Sequence, residues 1–142
     1  MFLLDTNVVS ELRKVKSGKA NQNVVRWFAQ QNTEQIFINA TVAMEIERGV
    51  LAMERKDPVQ GKNLRLWKTT FFNQFLQNRI LPITARTAEI CAKLHIPDYA
   101  PENDAWIASS ALEHRLILVT RNTTDFERTG VPLLNPFEFE GE

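Results

Sequence analysis

Five short apolar runs alternate with longer segments of helical periodicity: Phe2–Leu4, Ile36–Asn39, Ile80–Ile83, Leu116–Thr120 and Val131–Leu134. Runs of this length, bounded by turn residues, read as strands buried on both faces. Strands that alternate with helices imply a parallel sheet covered by helices on both sides. The expected fold is therefore α/β, a three-layer α/β/α sandwich with a mainly parallel central sheet of four to five strands. Such sheets take their ligands in the crevice outside the carboxyl ends of the strands. In the first run, Phe2, Leu3 and Leu4 lead straight into Asp5. Thr6 and Asn7 are turn and capping types, and they open an apolar-periodic segment through Val8, Val9 and Leu12.

A chain of 142 residues with no internal repeat and no low-complexity linker is expected to form one domain over residues 1–142. Lys plus Arg and Asp plus Glu each number 17, so the formal net charge of +0 gives no gross basic excess. A local basic patch would still be enough to hold a nucleic acid. The single cysteine, Cys91, rules out a disulfide framework and a Cys-type zinc site, and its place in an apolar-periodic helix makes it a core residue. His95 and His114 are isolated, with no second ligand at metal spacing. The apolar start is too short for a signal peptide or a membrane span, so the expected location is the reduced cytoplasm, with no membrane partner.

Between the strands, Val8 to Arg13 reads as a short helix, followed by a basic loop with Arg13, Lys14, Lys16 and Lys19. Arg13, Lys14 and Lys16 are candidates for holding a substrate phosphate, against a simple solvated loop. Asn23 to Gln31 reads as a core helix. Thr41 is the expected cap of the next helix, whose stripe is Val42, Ile46, Gly49, Val50 and Met53. Glu45 lies roughly 80° from the centre of that stripe and Glu47 roughly 120° away, on the solvent side. Asp57, Pro58 and Gly61 read as a break. Leu64, Trp67, Phe71 and Phe75 then form an aromatic stripe that Phe72 widens, suited to a core or a dimer interface. Thr84 or Thr87 caps a helix to about Leu94. The loop Ile96 to Asn103 delivers Asp104 to the start of a helix ending at His114, on the same face as Ile107 and Ala108. Trp106 points away from that face, with Ser110 and Glu113. After the fourth run come Asn122 and Asp125, and an acidic tail, Glu138 to Glu142, reads as frayed.

Asp5, Glu45, Asp104 and the Asn122/Asp125 pair all fall at or just after strand exits, which share one edge in a parallel sheet. Two carboxylates about 4 Å apart repel by about 4 kcal/mol at an effective dielectric near 20. A group of three or four must protonate or collect a cation. All-oxygen ligands select Mg²⁺ or Mn²⁺, which keep waters and accept a substrate phosphate. The chemistry this suits is phosphodiester hydrolysis, with Asp5, Glu45, Asp104 and Asp125 as catalytic candidates and Asp5, Asp104, Glu45 and Asn122 as metal ligands. One ion is enough for these residues, and two are possible.

The stretches LLDTNVVSEL, NDAWIASSALEH, LVTRNTTDF and NPF, in that order, resemble PIN-domain ribonucleases, specifically the VapC-type toxins of bacterial toxin–antitoxin pairs, including the FitB-like branch. The resemblance implies a PIN-like sandwich and a metal-dependent endoribonuclease acting on RNA. It also implies a homodimer and a cognate antitoxin that covers the acidic cleft and carries the complex to promoter DNA. Asp5, Glu45 and Asp104 match the family's first three acids. The fourth position falls on Asn122, with Asp125 three residues later. Two other readings compete: a non-catalytic PIN-like module that binds RNA or antitoxin, and a haloacid-dehalogenase-like phosphatase using Asp5. The phosphatase pattern wants a second Asp where this chain has Asn7. DNA as the substrate would use the same metal chemistry.

Overall fold

The computed structural model describes residues 1–141, and Glu142, the last residue of the acidic tail, lies outside the described residues. Five strands form one sheet: β1 (Phe2–Leu4), β2 (Ile36–Asn39), β3 (Ile80–Leu81), β4 (Ile117–Val119) and β5 (Leu133–Leu134). Every pair is parallel and the spatial order is β3-β2-β1-β4-β5. Among the described residues seven α-helices flank it: α1 (Thr6–Leu12), α2 (Gln22–Ala29), α3 (Ala40–Lys56), α4 (Pro58–Phe75), α5 (Ala85–Leu94), α6 (Glu102–His114) and α7 (Thr123–Phe126). The expected α/β/α sandwich is therefore the fold. β3 is two residues long and lies at the sheet edge, with Pro82 directly after it, a common protection for an exposed edge.

The strand order positions the site. The chain builds β1, β2 and β3 outward in one direction, then returns to lay β4 on the other side of β1. The connections leaving β1 and β4 therefore diverge, and a crevice opens between the carboxyl ends of those two strands. Beneath it the core is dry. Leu3, Leu4, Ile36, Ile38, Leu118 and Val119 are fully buried, packed with Val8, Val9, Val24 and Ile107 from the helices. Burying each such side chain stabilises the fold by about 1.5–3 kcal/mol.

Several local expectations change in three dimensions. Asn39, the last residue of β2, caps α3 by accepting from the Val42 N–H at 3.0 Å, so the helix starts before Thr41. Gly61 is no breaker. It lies inside α4, where a Cβ would fall 2.3 Å from the Glu54 Cα, so its missing side chain lets α3 and α4 touch. The break is the single residue Asp57, whose side chain accepts from the Gln60 N–H at the head of α4. Glu47 does not face solvent alone. Arg65 at 2.6 Å and Lys68 at 2.6 Å, both on α4, bond to it and hold its carboxyl down at about 2. α6 begins at Glu102 and is wrapped on nearly all sides. Ser110 is fully buried, and Trp106 packs on Cys91, Ala100 and Ala105 instead of pointing outward, because α5 covers that flank.

Replacing Gly61 with Ala is expected to destabilise the protein by about 1–3 kcal/mol, because the methyl group meets backbone that cannot rotate away. Urea unfolding of the variant beside the parent protein measures it.

Candidate active site

Asp5 stands at the crevice because β1 ends there. Its own N–H donates to the Val119 carbonyl of β4 at 2.9 Å, continuing the β1–β4 ladder. Its side chain is the N-cap of α1, with Oδ1 accepting from the Thr6 N–H at 2.8 Å. Oδ2 accepts from the Thr120 hydroxyl at 2.8 Å and from Asn7 Nδ2 at 3.3 Å. Thr120 is the fully buried residue that follows β4. Asn7 also donates to Thr120 Oγ1 and accepts from the Arg121 N–H at 3.2 Å, so its amide ties the exit of β1 to the exit of β4. Burial pushes the Asp5 carboxyl up, and the charge on Glu45 adds to this, while the bonds from Thr120 and Thr6 pull it back.

Glu45 reaches the crevice from the second turn of α3. Its Oε1 accepts from the Thr6 hydroxyl at 2.6 Å, and its Oε2 accepts from Asn103 Nδ2 at 3.3 Å. Arg48 stands 3.9 Å from the same oxygen. The placement of α3 against α6 comes from Asn39, whose Nδ2 donates to Ser110 Oγ at 2.9 Å and to the Trp106 carbonyl at 3.2 Å. One asparagine therefore caps the helix that carries Glu45 and anchors it to the helix that carries Asp104.

Asp104 lies in the first turn of α6 and is not its cap; Pro101 holds the cap position, and no side chain bonds there. The Asp104 carboxyl is pushed up to about 6, first by burial, then by the charges of Asp5, Asp125 and Glu45. Asp104 thus feels Asp5, Glu45 and Asp125, which come from three other parts of the chain. Asn122 precedes α7, its N–H bonded to Thr120 Oγ1 at 3.1 Å, and its carbonyl accepts from the Asp125 N–H at 3.1 Å. Both Asn122 and Asp125 are exposed.

The basic residues are not brought to this cluster. Lys14 pairs with Glu11 at 3.1 Å, and Arg13 and Lys16 line an apolar groove beyond the far end of α1, about 10 Å of helix from Asp5. Four site residues were missed in the sequence: Thr6, Asn7, Thr120 and Asn103, which between them hold Asp5 and Glu45. Thr120 carried a faint signal as the polar residue closing the fourth apolar run, but its partner depends on β1 and β4 being neighbours.

The donor chemistry fits a hard divalent ion. The set is all oxygen, and the repulsion that raises Asp104 is relieved by a cation. Among the described residues no three acidic, His or Cys side chains converge tightly enough to ligate one ion together.

The raised Asp104 has a consequence for stability. The folded chain holds this proton more tightly than the unfolded chain, so stability falls as pH rises from about 4 through about 6. In EDTA, Asp104→Asn is expected to raise Tm at pH 7.5 by about 2–4 °C. The gain that the parent protein shows on acidification to pH 5.5 should shrink in the variant. Thermal unfolding followed by circular dichroism at both pH values checks this.

The model of the PIN domain matches residues 2–132. The plasmid stability protein StbB of Pseudomonas syringae pv. tomato is 31% identical over 142 residues, covering 97% of this chain and 99% of that protein. The VapC ribonuclease Y4jK of Sinorhizobium fredii is 29% identical, with 97% and 99% covered. Among solved structures, FitAB bound to an IR36 DNA fragment superposes with a TM-score of 0.82 at 28% identity, covering 100% of this chain and 99% of the other. With the crevice, the four acids and this match spanning nearly the whole sequence, the chain belongs to the PIN domain family.

Proposed function

We propose that this protein is the toxin of a toxin–antitoxin pair, a Mg²⁺- or Mn²⁺-dependent endoribonuclease that hydrolyses phosphodiester bonds of RNA in the cytoplasm. The observation that supports it most is the gathering of Asp5, Glu45, Asp104 and Asp125 around one crevice, with Asp104 pushed up to about 6 first by burial and then by the charges of the other three. A structural ion pair would bring a cationic side chain to each acid. Among the described residues Asp5 and Asp104 have none, and Glu45 has only Arg48 at 3.9 Å. The name of the Sinorhizobium relative points to the same chemistry.

In this reading Asp5, Asp104, Glu45 and the side-chain carbonyl of Asn122 would hold the ion. The ion supplies a lowered pKa for bound water and a counter-charge for the phosphodiester. Asp5 is fixed by three donors, so its free lone pairs point one way before any ligand arrives. Glu45, oriented by Thr6 and Asn103, accepts the proton of the attacking water. Asp125, on the exposed side, orients water or substrate. Neither histidine nor the buried Cys91 stands in the crevice to offer another nucleophile.

The antitoxin belongs to the same reading. The apolar groove between α1, α2 and α4 has a volume of about 650 Å³ and is lined by Leu12, Phe28, Leu66, Trp67 and Phe75, with Arg13 and Lys16 on its rim. That suits an amphipathic antitoxin segment with an apolar face and acidic flanks. A homodimer, and promoter DNA bound through the antitoxin, complete the proposal; the similarity to FitAB on DNA supports the second.

With Mn²⁺ the purified protein is expected to cut single-stranded RNA and to stop in EDTA. Asp5→Asn should lose at least about 100-fold in rate with its far-ultraviolet spectrum unchanged. Gel analysis of a labelled RNA checks both, and full cleavage by Asp5→Asn would remove that residue from the site. At the fourth position, Asp125→Ala is expected to raise the Mn²⁺ concentration for half-maximal cleavage more than Asn122→Ala. A metal titration of the two variants ranks them.

A further inference from the structure

Arg121 follows the buried Thr120 at the exit of β4, and it is exposed. Its backbone is tied on both sides. The N–H donates to Asn7 Oδ1 at 3.2 Å, and the carbonyl accepts from Asn135 Nδ2 at 3.4 Å. The guanidinium lies over the ring of Phe137, 4.7 Å from its centroid. That ring is itself held. The Phe137 N–H donates to Asn135 Oδ1 at 3.0 Å, and the Phe137 carbonyl accepts from Asn23 Nδ2 of α2 at 2.7 Å. Stacking of this kind fixes a planar cation and leaves its N–H edges open. Among the described residues no acceptor takes a side-chain N–H of Arg121, and no carboxylate pairs with it.

This cation stands beside the acids without neutralising them. Asn7, which accepts from the Arg121 N–H, donates to Asp5 Oδ2 at 3.3 Å, so one side chain separates Arg121 from Asp5. An acid whose charge Arg121 does reach is Glu11 of α1, and Glu11 already has partners: Lys14 at 3.1 Å and the Asn21 N–H at 2.8 Å. Burial pushes the Glu11 carboxyl up, but those two bonds and the charges of Lys14 and Arg121 hold it below its ordinary value. Arg121 is therefore close enough to lend Glu11 its field and is not spent on an ion pair. A cation kept in place by an aromatic ring, with its donors unused, is set up for an anion that comes from outside the chain.

We propose that Arg121 holds a phosphate of the RNA backbone next to the one that is cut. The inference rests on the nuclease reading above, and it supplies the cation that the basic loop does not bring to the crevice. A phosphodiester lying among Asp5, Glu45 and Asp104 is met by the bound ion. The phosphates on either side of it would meet carboxylates and be repelled unless a cation stands at the edge. Arg48 already faces Glu45 at 3.9 Å. Arg121 stands at that edge with its side-chain N–H donors free, and the guanidinium fork matches two oxygens of a phosphate. Such a contact sets the register of the strand and reads no base. Arg121 is thus a positioning residue, one that brings the scissile bond to the acids.

The experiment is steady-state cleavage of a labelled oligoribonucleotide in Mn²⁺ over a range of salt, by the parent protein, Arg121→Gln and Arg121→Lys. Arg121→Gln is expected to raise KM about 10-fold with a smaller change in kcat. It should also flatten the fall of log(kcat/KM) with log salt by about 0.7, the share of one phosphate on a single strand. Arg121→Lys keeps the charge and the slope but loses the fork, so its KM should rise only about 3-fold. A second set of substrates carries one uncharged methylphosphonate at successive positions around the cut. At one position beside the cut it should weaken cleavage by the parent about 10-fold and by Arg121→Gln less than about 2-fold. Equal KM and equal salt slope in parent and Arg121→Gln, or equal losses at every methylphosphonate position, overturn the proposal and leave the nuclease standing. If thermal unfolding shows that Arg121→Gln does not fold, the same scan on Arg121→Lys decides: its loss at that position must be smaller than the parent's. If the parent cuts no RNA, the nuclease reading fails, and fluorescence anisotropy of the uncut oligonucleotide tests the contact. A flatter salt slope in Arg121→Gln then keeps it, and equal slopes or no binding sink it.

Discussion

The bond from the Thr120 hydroxyl to Asp5 Oδ2 joins the two strand ends at which the sheet changes direction. Strands β1 and β4 are neighbours far apart in sequence, and their connections separate as soon as they leave the sheet. Without a tie, that opening would be a wedge of unpaired strand ends. Thr120 and Asn7 close it from below with polar groups that are themselves buried or half-buried, so the hydrogen bonds are strong and their loss would leave unsatisfied atoms. The bond also fixes which oxygen of Asp5 faces the protein. What remains of the carboxylate faces the crevice, and the other acids are arranged around that orientation.

The acids work against the fold. Burial and mutual charge raise Asp5 and Asp104, which means that the metal-free chain carries unrelieved repulsion at its most constrained point. The structure offsets this with neutral donors in preference to cations. Thr6, Asn7, Thr120 and Asn103 all bond to Asp5 or Glu45 without cancelling their charge. Lysine or arginine would relieve the repulsion more fully and would also occupy the lone pairs. Cationic side chains appear where repulsion serves no purpose, as in the Glu47–Arg65–Glu54–Lys68 network that links α3 to α4.

Features set by local pattern were legible in the sequence, and features set by partners were not. The strands could be read because short apolar runs bounded by turn residues have few alternatives, and Asp5, Glu45 and Asp104 because each lies at a fixed angle or offset from such a run. Gly61 looked like a breaker because glycine usually is one; only the approach of Glu54 shows that its missing side chain is used. A helix wheel with one buried face turns Trp106 and Ser110 outward, whereas α6 has the sheet on one flank and α5 on another. Asn39 was read as a strand end, and its double task of capping α3 and holding α6 needed both helices in view. The basic loop is near the acids in sequence, yet α1 carries Arg13 and Lys16 away along its axis.

The uncharged residue at the exit of β4 follows from the same balance. Asn122 is bonded through its N–H to Thr120 Oγ1, the atom that also donates to Asp5. A carboxylate at this position would add a further negative charge close to Asp104, which burial and the charges of three acids already push up to about 6. Asparagine offers a carbonyl oxygen of similar reach and adds no charge. The acid is displaced by three residues to Asp125, about one helical turn along α7, where it is exposed and water screens it. The fourth charge is then still felt by Asp104, more than that of Glu45, but it stands on the solvent side, where an incoming cation would meet it first.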